Sequence, residues 1–386
     1  MTYKIFKAFL IFLMLIAFSR GALASQAVDA INNFAFTTAA KLEQNSGDYF
    51  FSPYSIISAF GMVYAGSEGA TAQEIEAALG ISPDIHSELG ELMTSLAESQ
   101  AFFPANRVWL RTKLTILDEY KNILKNFYKS SLQELDFLNK TEESRKIIND
   151  WVSENTKGKI QNLLSNIEPD TQMILTNAVY FNAAWQERFN KKLTRQEKFF
   201  NDGKNFLMVD MMKQRDDFYY AELNGYKFVK LPYEDGRFSM VAVLPPEGQE
   251  NLSQEIFQRG LSSMKSYEVD LWLPKFKTEK KYELKELFES MGIILAFSNF
   301  ADFFKITEQE RIKIDAVIHQ TFIDVDEEKT EAAAATAITM VRATAMPRPK
   351  KLRAEFHATR PFVYFIMDDQ TGTILFMGRQ KFSKSN

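Results

Sequence analysis

The chain has 386 residues, with 46 Lys and Arg against 50 Asp and Glu, a formal net charge of −4 and no cysteine. This slightly acidic balance argues against a general role in binding nucleic acids or anionic membranes. The missing thiols exclude disulfides, thiol catalysis and thiolate metal sites. A chain of this length can bury enough apolar surface to be stable without cross-links.

The first predicted element is a secretory signal peptide over residues 1–24. Lys4 and Lys7 precede an apolar run from residue 8 to residue 18, and Ala22-Leu23-Ala24 is suited to signal peptidase. The run is well short of the ~20 residues that span a bilayer. We therefore expect a secreted, extracellular protein, or a periplasmic or cell-surface one if the source is bacterial.

Residues 25–386 contain no obvious linker or internal repeat, so they are predicted to form a single domain. Up to about residue 165 the apolar positions mostly follow a helical period, as Val28, Ile31 and Phe34 do. Strands predominate afterwards. This order predicts an α+β fold, in which a helix-rich N-terminal part packs on large mixed or antiparallel β-sheets.

Two patterns predict strands after about residue 165. Residues 173–181 are almost continuously apolar, which is typical of a central strand buried on both faces. Val269, Leu271 and Leu273 alternate with polar residues, which indicates a half-buried strand. Two hairpins are predicted, one at residues 226–233 and 237–244 around Asp235-Gly236, and one at residues 362–367 and 373–377.

The segment after residue 326 is the most unusual part of the sequence. Glu327 and Glu328 precede four alanines, Ala332–Ala335, and propensity alone would predict an exposed helix here. β-Branched residues and then Pro347 and Pro349 follow closely, so no ordinary amphipathic helix can continue. The segment with these small side chains is therefore expected to adopt a conformation other than an ordinary helix.

The sequence offers little support for catalysis. A Ser-His-Asp triad would have to use His86, His319 or His357, and there is no Gly-x-Ser-x-Gly elbow. No His-Glu-x-x-His, Walker loop, Gly-x-Gly-x-x-Gly or calcium-loop spacing is present. We expect a protein that is not an enzyme, with no cofactor and no metal site.

Motifs spread from about residue 27 to residue 382 resemble those of the serpins, the serine protease inhibitor family. Their order and spacing over nearly the whole chain are more specific than any single motif. The matching segments are Phe50–Ile56, Thr156–Ile160, Leu175–Phe181, Leu231–Tyr233, Val317–Ile323, Pro361-Phe362 and Ile374–Arg379.

The resemblance implies the serpin fold with an exposed reactive-centre loop at about residues 327–358. It also implies suicide inhibition, in which a target serine protease is held as a covalent acyl-enzyme while the loop inserts into the main sheet. The hinge of this loop would comprise Glu327, Glu328, Lys329, Thr330, Glu331, Ala332, Ala333, Ala334 and Ala335.

The reactive bond is placed by its distance from Glu327 in the family. We favour Arg342-Ala343, with Ala343-Thr344 as the alternative. Arg342 suits a trypsin-like specificity pocket, whereas Ala343 suits an elastase-like one. The loop pattern fits insertion, because alternate positions from Thr330 onward are uncharged and small near the hinge.

The resemblance also assigns a sheet-opening region. Pattern alone favours His319 as a satisfied core histidine, but in serpins the matching histidine and asparagine hydrogen-bond where the sheet parts. The residues assigned to this region are Ser52, Pro53, Ser55, Asn177, Trp185 and His319. Asp48 stands where the family commonly has Asn, so one contact there is expected to differ.

Lys329 is the main departure from inhibitory serpins, which typically carry Gly at this hinge position. Because of Lys329, the alternative function is that of a non-inhibitory serpin that acts as a carrier, binding or chaperone-like protein. An inhibitor of cysteine proteases is a third possibility.

Neither the basic stretch after the predicted reactive bond nor the helix predicted at residues 85–98 indicates a further binding partner. The basic residues Arg348, Lys350, Lys351 and Arg353 are interpreted as solvated loop charge. The helix predicted at residues 85–98 has no Lys or Arg, which does not support heparin binding. We expect a monomer.

Overall fold

The computed structural model describes residues 25–43, 47–130, 132–201, 203–330 and 351–382. The predicted signal peptide, the hinge residues Glu331–Ala335 and both candidate reactive bonds, at Arg342, Ala343 and Thr344, lie outside these residues. Their assignments stay predictions. Within the described part, no helix has both the length and the apolar character needed to cross a membrane.

The helices of the described residues cluster in the first half of the chain. Val28, Ile31 and Phe34, which predicted an amphipathic first helix, all face the core. The helices are α1 Ser25–Leu42, α2 Pro53–Ala65, α3 Gly69–Leu79, α4 Ile85–Leu96, α5 Asp118–Tyr128, α6 Thr141–Asn155, α7 Gln254–Ser263 and α8 Lys285–Ser290.

The strands form two sheets. They are β1 Tyr49–Phe51, β2 Phe102–Arg111, β3 Gln133–Leu135, β4 Met173–Phe181, β5 Ala183–Ala184, β6 Arg195–Phe200, β7 Phe206–Leu223, β8 Tyr226–Pro232, β9 Phe238–Leu244, β10 Lys265–Pro274, β11 Phe276–Glu283, β12 Ala316–Val325, β13 Lys329–Thr330, β14 Arg353–His357, β15 Phe362–Asp368 and β16 Thr373–Gln380.

Sheet I is a seven-stranded sheet. Its order is β3-β2-β4-β12-β13-β5, and β11 pairs with the other edge of β12. The strand β4 is buried along its whole length, as its apolar run predicted. The strands β4 and β12 run parallel in register from Ile174 opposite Ala316 to Tyr180 opposite Phe322. We call the line between these two strands the seam.

Sheet II has the order β1-β16-β15-β9-β8-β7-β10-β14, with β6 paired to β7. Both predicted hairpins are confirmed, as β8 with β9 and β15 with β16. Gly236 has a φ of 66°, the left-handed conformation that favours glycine in such a turn. Val269, Leu271 and Leu273 of β10 point into the core, which confirms the predicted alternation.

The helix α2 lies in the interior, with every residue from Pro53 to Ala65 buried. Pro53 occupies the first helical turn, where its missing N–H is harmless, and the Ser52 side chain caps the helix by accepting from the Ser55 N–H. The main core surrounds α2 and the inner face of sheet I. A second core lies on the outer face of sheet I, beneath α6.

One expectation about the N-terminal half was incomplete. The sequence analysis assigned no strand before Met173, but β1, β2 and β3 lie there. The pattern of β2 is obscured because Pro104 and the partly exposed Asn106 and Arg107 interrupt any simple alternation. Pro104 is tolerated because β3 pairs with β2 only from Trp109 onward, leaving that edge of β2 open in the sheet. The α+β class with large sheets is nevertheless confirmed.

Candidate functional site

The inner face of sheet I carries a hydrogen-bonded rung that crosses the seam. Asn106 on β2, Asn177 on β4 and His319 on β12 are direct cross-strand partners. The His319 Nδ1 atom hydrogen-bonds the Asn177 Oδ1 atom. The predicted pair of His319 and Asn177 is therefore confirmed as a contact between the two seam strands.

The hydrogen bonds determine the protonation state of His319. Its Nε2 atom accepts from the backbone N–H of Ser52 at 3.1 Å, so Nε2 carries no proton. Nδ1 must then carry the proton and donate to Asn177, which is the neutral imidazole. Burial lowers the pKa of His319 to about 3, consistent with a neutral ring.

The start of α2 completes this network. The Asn177 Nδ2 group donates to the Ser55 carbonyl oxygen at 2.6 Å and lies 2.7 Å from both Ser55 Oγ and Asn106 Oδ1. Ser55 Oγ donates to Asn106 Oδ1 at 3.0 Å, and Ser52 Oγ donates to the Leu375 carbonyl at 2.6 Å. The structure thus brings Ser52, Ser55, Asn177 and His319 together, with Pro53 between the two serines. We call this group the inner latch.

Asn106 belongs to the inner latch but was missed by the sequence analysis. It lies on β2, the strand whose pattern was not recognised. No local signal distinguished it, because it lies between Ala105 and Arg107 and its partners are on β4 and α2.

Trp185 lies at the end of the seam where the chain leaves β12. Its side chain is 1% exposed, and its ring stacks on Tyr233 with centroids 4.7 Å apart. Its Nε1 group donates to the Asp326 carbonyl at 2.9 Å, and its backbone N–H donates to the Glu328 carbonyl at 3.2 Å. Trp185, assigned to the sheet-opening region, therefore contacts the backbone on both sides of Glu327, where the predicted hinge begins.

Glu327 is the most firmly held residue of the described hinge. Its side chain is 5% exposed, and its Oε2 atom pairs with Lys275 Nζ at 2.8 Å. Its Oε1 atom accepts from Thr194 Oγ1 at 2.7 Å. Burial acts to raise the pKa of Glu327, but the hydrogen bonds from Lys275 and Thr194 outweigh it, so the pKa of this carboxyl is lowered.

After Glu327 the chain turns back into the end of the seam. Glu328 pairs with Lys191 at 2.6 Å on the more exposed side of the turn. The backbone of Lys329 and Thr330, which forms β13, then pairs antiparallel with β5 on one side and with Val325 of β12 on the other. Two residues of the hinge therefore already lie between the continuation of β4 and the end of β12.

Two further predictions concern charged residues elsewhere in the fold. Asp48, which stands where the family commonly has Asn, pairs with Lys280 of β11 at 2.8 Å. Part of the basic stretch after the loop is also paired: Lys351 with Asp217 at 2.5 Å and Arg353 with Glu268 at 2.7 Å. Among the described residues, no three His, Asp or Glu side chains converge to hold a metal ion.

The fold and the site together define a class of protein: an α+β domain with two large sheets, in which Lys329 and Thr330 pair between β5 and the end of β12. A family model described as "Serpin (serine protease inhibitor)" matches residues 29–381. The chain belongs to the serpin family.

Individual relatives agree with this assignment. An uncharacterized serpin-like protein of Thermococcus kodakarensis is 38% identical over 364 residues, which cover 91% of this chain and 84% of the relative. Human Serpin B3 is 34% identical over 370 residues, covering 87% of this chain and 94% of the relative. The crystal structure of human thyroxine-binding globulin has a TM-score of 0.81 at 27% identity, and the match covers 93% of this chain and 97% of that one.

Proposed function

We propose that this serpin is a secreted suicide inhibitor of serine proteases with trypsin-like or elastase-like specificity. The observation that carries the proposal is the position of β13. Its two residues lie at the end of the seam and pair antiparallel with strands on both sides. A loop that continued in this direction would become a new strand between β4 and β12.

Such insertion has a physical driving force. The strands β4 and β12 are parallel to each other, and a strand running from β13 between them would be antiparallel to both. Antiparallel pairing is slightly more stable per residue, and the exposed loop would gain two ladders of backbone hydrogen bonds. The state with the loop outside would then be kinetically trapped, held by the latch and the hinge contacts.

The proposed chemistry uses the catalytic serine of the protease. Its Oγ attacks the Arg342 carbonyl carbon, the peptide bond to Ala343 breaks, and the new amine leaves with the C-terminal segment. Arg342 remains bound to the protease as an acyl ester. Insertion of about fourteen residues, at ~3.3 Å each, would carry the protease roughly 45 Å before water completes hydrolysis.

The bond is tested directly by incubating the mature protein with trypsin and with an elastase. Denaturing gels detect a covalent complex, and sequencing the released peptide locates the cleavage. A stable complex with a new N-terminus at Ala343 supports both the mechanism and the bond, while one at Thr344 moves the reactive bond to Ala343-Thr344. Complete cleavage without a complex would contradict inhibition.

A second candidate is a non-inhibitory serpin that carries a ligand. Two observations favour it: Lys329 occupies the predicted hinge position where inhibitory serpins typically carry Gly, and the fold is similar to that of thyroxine-binding globulin. It predicts cleavage without a covalent complex. If the target is a cysteine protease, incubation with a papain-like enzyme would instead yield a thioester complex. Denaturing gels of that incubation would show the complex, whereas the trypsin and elastase incubations would show none.

The cellular setting is part of the proposal. Residues 1–24 would direct the chain out of the cytoplasm. The secreted protein would act outside the cell as a monomer that needs no cofactor. N-terminal sequencing of the secreted protein checks this, with Ser25 as the expected first residue.

A further inference from the structure

A cleft of 570 Å³ lies where three connections of sheet II meet. It is formed by the end of β6 with the β6–β7 turn, by the turn after β9 and by the connection from β14 to β15. The lining residues that matter for binding are Phe200, Glu247, Glu250, Arg360 and Pro361. The volume is within the range of about 300–1,000 Å³ that is typical of small-molecule sites. None of the described lining residues belongs to sheet I, so the cleft is separate from the seam.

Arg360 is the only basic residue among the described residues that line the cleft. Its side chain is half-buried, and burial lowers its pKa. Within the part of the chain that the structure describes, its guanidinium group makes no hydrogen bond and no ion pair. A guanidinium offers five N–H donors in a planar fork that matches a carboxylate. A bound carboxylate would therefore supply the acceptors that the protein does not.

The two buried arginines of sheet II are paired, in contrast to Arg360. Arg237 pairs with Asp368 at 3.0 Å, and Arg379 pairs with Glu250 at 3.4 Å. This is the usual arrangement, because a charge removed from water is costly unless an opposite charge or hydrogen bonds compensate it. The unpaired guanidinium of Arg360 is thus the exception in this sheet.

The two carboxylates of the cleft differ in the same respect. Glu250 is neutralised, because it pairs with Lys381 at 2.7 Å as well as with Arg379. Glu247 is exposed and forms no ion pair with any described residue. It is near enough to Arg360 for its charge to act against the lowering of the Arg360 pKa, but the two groups do not form an ion pair. The cleft therefore presents one cation and one anion that are both available to a ligand.

The walls of the cleft are held in place by hydrogen bonds within the protein. The Phe200 N–H donates to the Thr359 carbonyl at 2.8 Å, which joins the end of β6 to the β14–β15 connection. The Tyr226 hydroxyl donates to the Gln249 side chain at 3.2 Å, which steadies the turn after β9. The half-buried side chains of Phe200 and Pro361 add apolar surface. Because the walls are already ordered, a ligand would lose little affinity to ordering them.

We propose that this cleft binds a small zwitterion, an α-amino acid with an apolar side chain. Its carboxylate pairs with Arg360, its ammonium group faces Glu247, and its side chain packs on Phe200. The three features of the ligand correspond to the unpaired cation, the unpaired anion and the apolar surface of the cleft. The site is a property of the native fold, so it does not depend on protease inhibition.

The test uses three probes that share a phenylethyl skeleton and differ only in their charged groups. L-Phenylalanine carries both charges, 3-phenylpropanoate lacks the ammonium group, and 2-phenylethylamine lacks the carboxylate. Titration calorimetry measures their binding to the purified protein and to Arg360→Gln and Glu247→Gln. Arg353→Gln is the matched control, because Arg353 pairs with Glu268 at 2.7 Å and does not line the cleft.

The wild-type protein should bind L-phenylalanine most tightly. 2-Phenylethylamine should bind at least about tenfold more weakly, because it lacks the charge-assisted hydrogen bonds to Arg360. 3-Phenylpropanoate should bind about two- to fivefold more weakly, since Glu247 is exposed and its ion pair is screened by solvent. Arg360→Gln and Glu247→Gln should weaken L-phenylalanine binding by the same two factors, whereas Arg353→Gln should match wild type.

Melting temperatures provide a second measurement. Without ligand, Arg360→Gln should be at least as stable as wild type, because it removes a half-buried charge that has no partner. L-Phenylalanine should raise the melting temperature of wild type and of Arg353→Gln, but not that of Arg360→Gln.

Three results would overturn the proposal. The first is no saturable binding of L-phenylalanine to wild type at millimolar concentration, or binding that Arg360→Gln does not weaken. The second is equal binding of L-phenylalanine and 3-phenylpropanoate, which would exclude a site for a zwitterion. The third is a loss of stability in ligand-free Arg360→Gln, which would mean that Arg360 serves the fold and not a ligand.

Discussion

At the residue scale, the two consecutive glutamates of the hinge are held in very different ways. Glu327 is buried against Lys275 and Thr194, whereas Glu328 pairs with Lys191, whose side chain is 63% exposed. An exposed ion pair contributes little, because solvent screens it and ordering two long side chains opposes it. A buried carboxylate with two hydrogen bonds contributes more.

We therefore expect Glu327→Gln to destabilise the native state by about 1–3 kcal/mol. The amide keeps the shape and can still accept from Thr194, but it loses the charge that faces Lys275. Glu328→Gln is the matched control, with an expected cost below about 1 kcal/mol. The midpoint of urea unfolding measures both, and equal effects of the two substitutions would contradict the assignment.

His319 makes the native state sensitive to acid. Its folded pKa of about 3 lies below the ordinary value of 6.5, so between these values the unfolded chain binds a proton that the folded protein does not. Stability then falls as pH decreases from about 6.5 toward 3, by about 1.4 kcal/mol per pH unit for one fully titrating group.

Replacing His319 should remove this contribution. His319→Gln is expected to be less stable than wild type at pH 7, because Ser52 and Asn177 lose a partner. Its unfolding free energy should nevertheless depend less steeply on pH between 6.5 and 5. A slope identical to wild type would show that His319 takes up its proton in the folded protein.

At the element scale, β13 shows how the loop would enter the sheet. Its residues pair with both neighbouring strands, so the face of each following residue is determined by alternation. In the alternation predicted from the sequence, Thr330 and Glu331 would point to opposite faces of the inserted strand, with Thr330 toward the core.

This alternation predicts contrasting effects for two neighbouring substitutions. Thr330→Arg would place a charge in the core during insertion, so the variant should be cleaved by the protease without forming a covalent complex. Glu331→Arg, on the outward face, should still form the complex. Denaturing gels with the protease that reacts with wild type distinguish these outcomes, and a complex with Thr330→Arg would exclude the proposed register.

At the scale of the whole molecule, sheet I is held on both faces across a single line. The inner latch joins Asn177 to His319 on one face. On the other face the rings of Tyr180 and Phe322 lie 6.0 Å apart across the seam, and Glu327 holds its end. If the proposed loop insertion occurs, these contacts hold a native state that is only kinetically stable.

Cleavage within the loop should release this state. Insertion would add an antiparallel strand to the seam, so we expect the melting temperature to rise by on the order of 10 °C or more, given about 2–4 °C per kcal/mol in a large domain. Calorimetry before and after limited proteolysis measures the shift. A non-inserting serpin would keep its melting temperature or lose stability.

Features governed by local patterns were predictable from the sequence. The apolar run of β4, the Asp235-Gly236 turn and the stripe of α1 each reflect periodicity or turn chemistry within a few residues. The pairing of His319 with Asn177 was also anticipated, but through resemblance to a family.

Contacts between distant segments were decided only by the tertiary structure. Asn106 in the inner latch, Lys275 and Thr194 around Glu327, and Lys159 over Phe322 carry no local signal, because each depends on strand register and on chain segments far apart in sequence. The sequence alone determined that residues 173–181 form a central strand and that the chain turns at Asp235-Gly236. Folding decided which side chains meet across the seam, since a rung exists only once three strands are aligned.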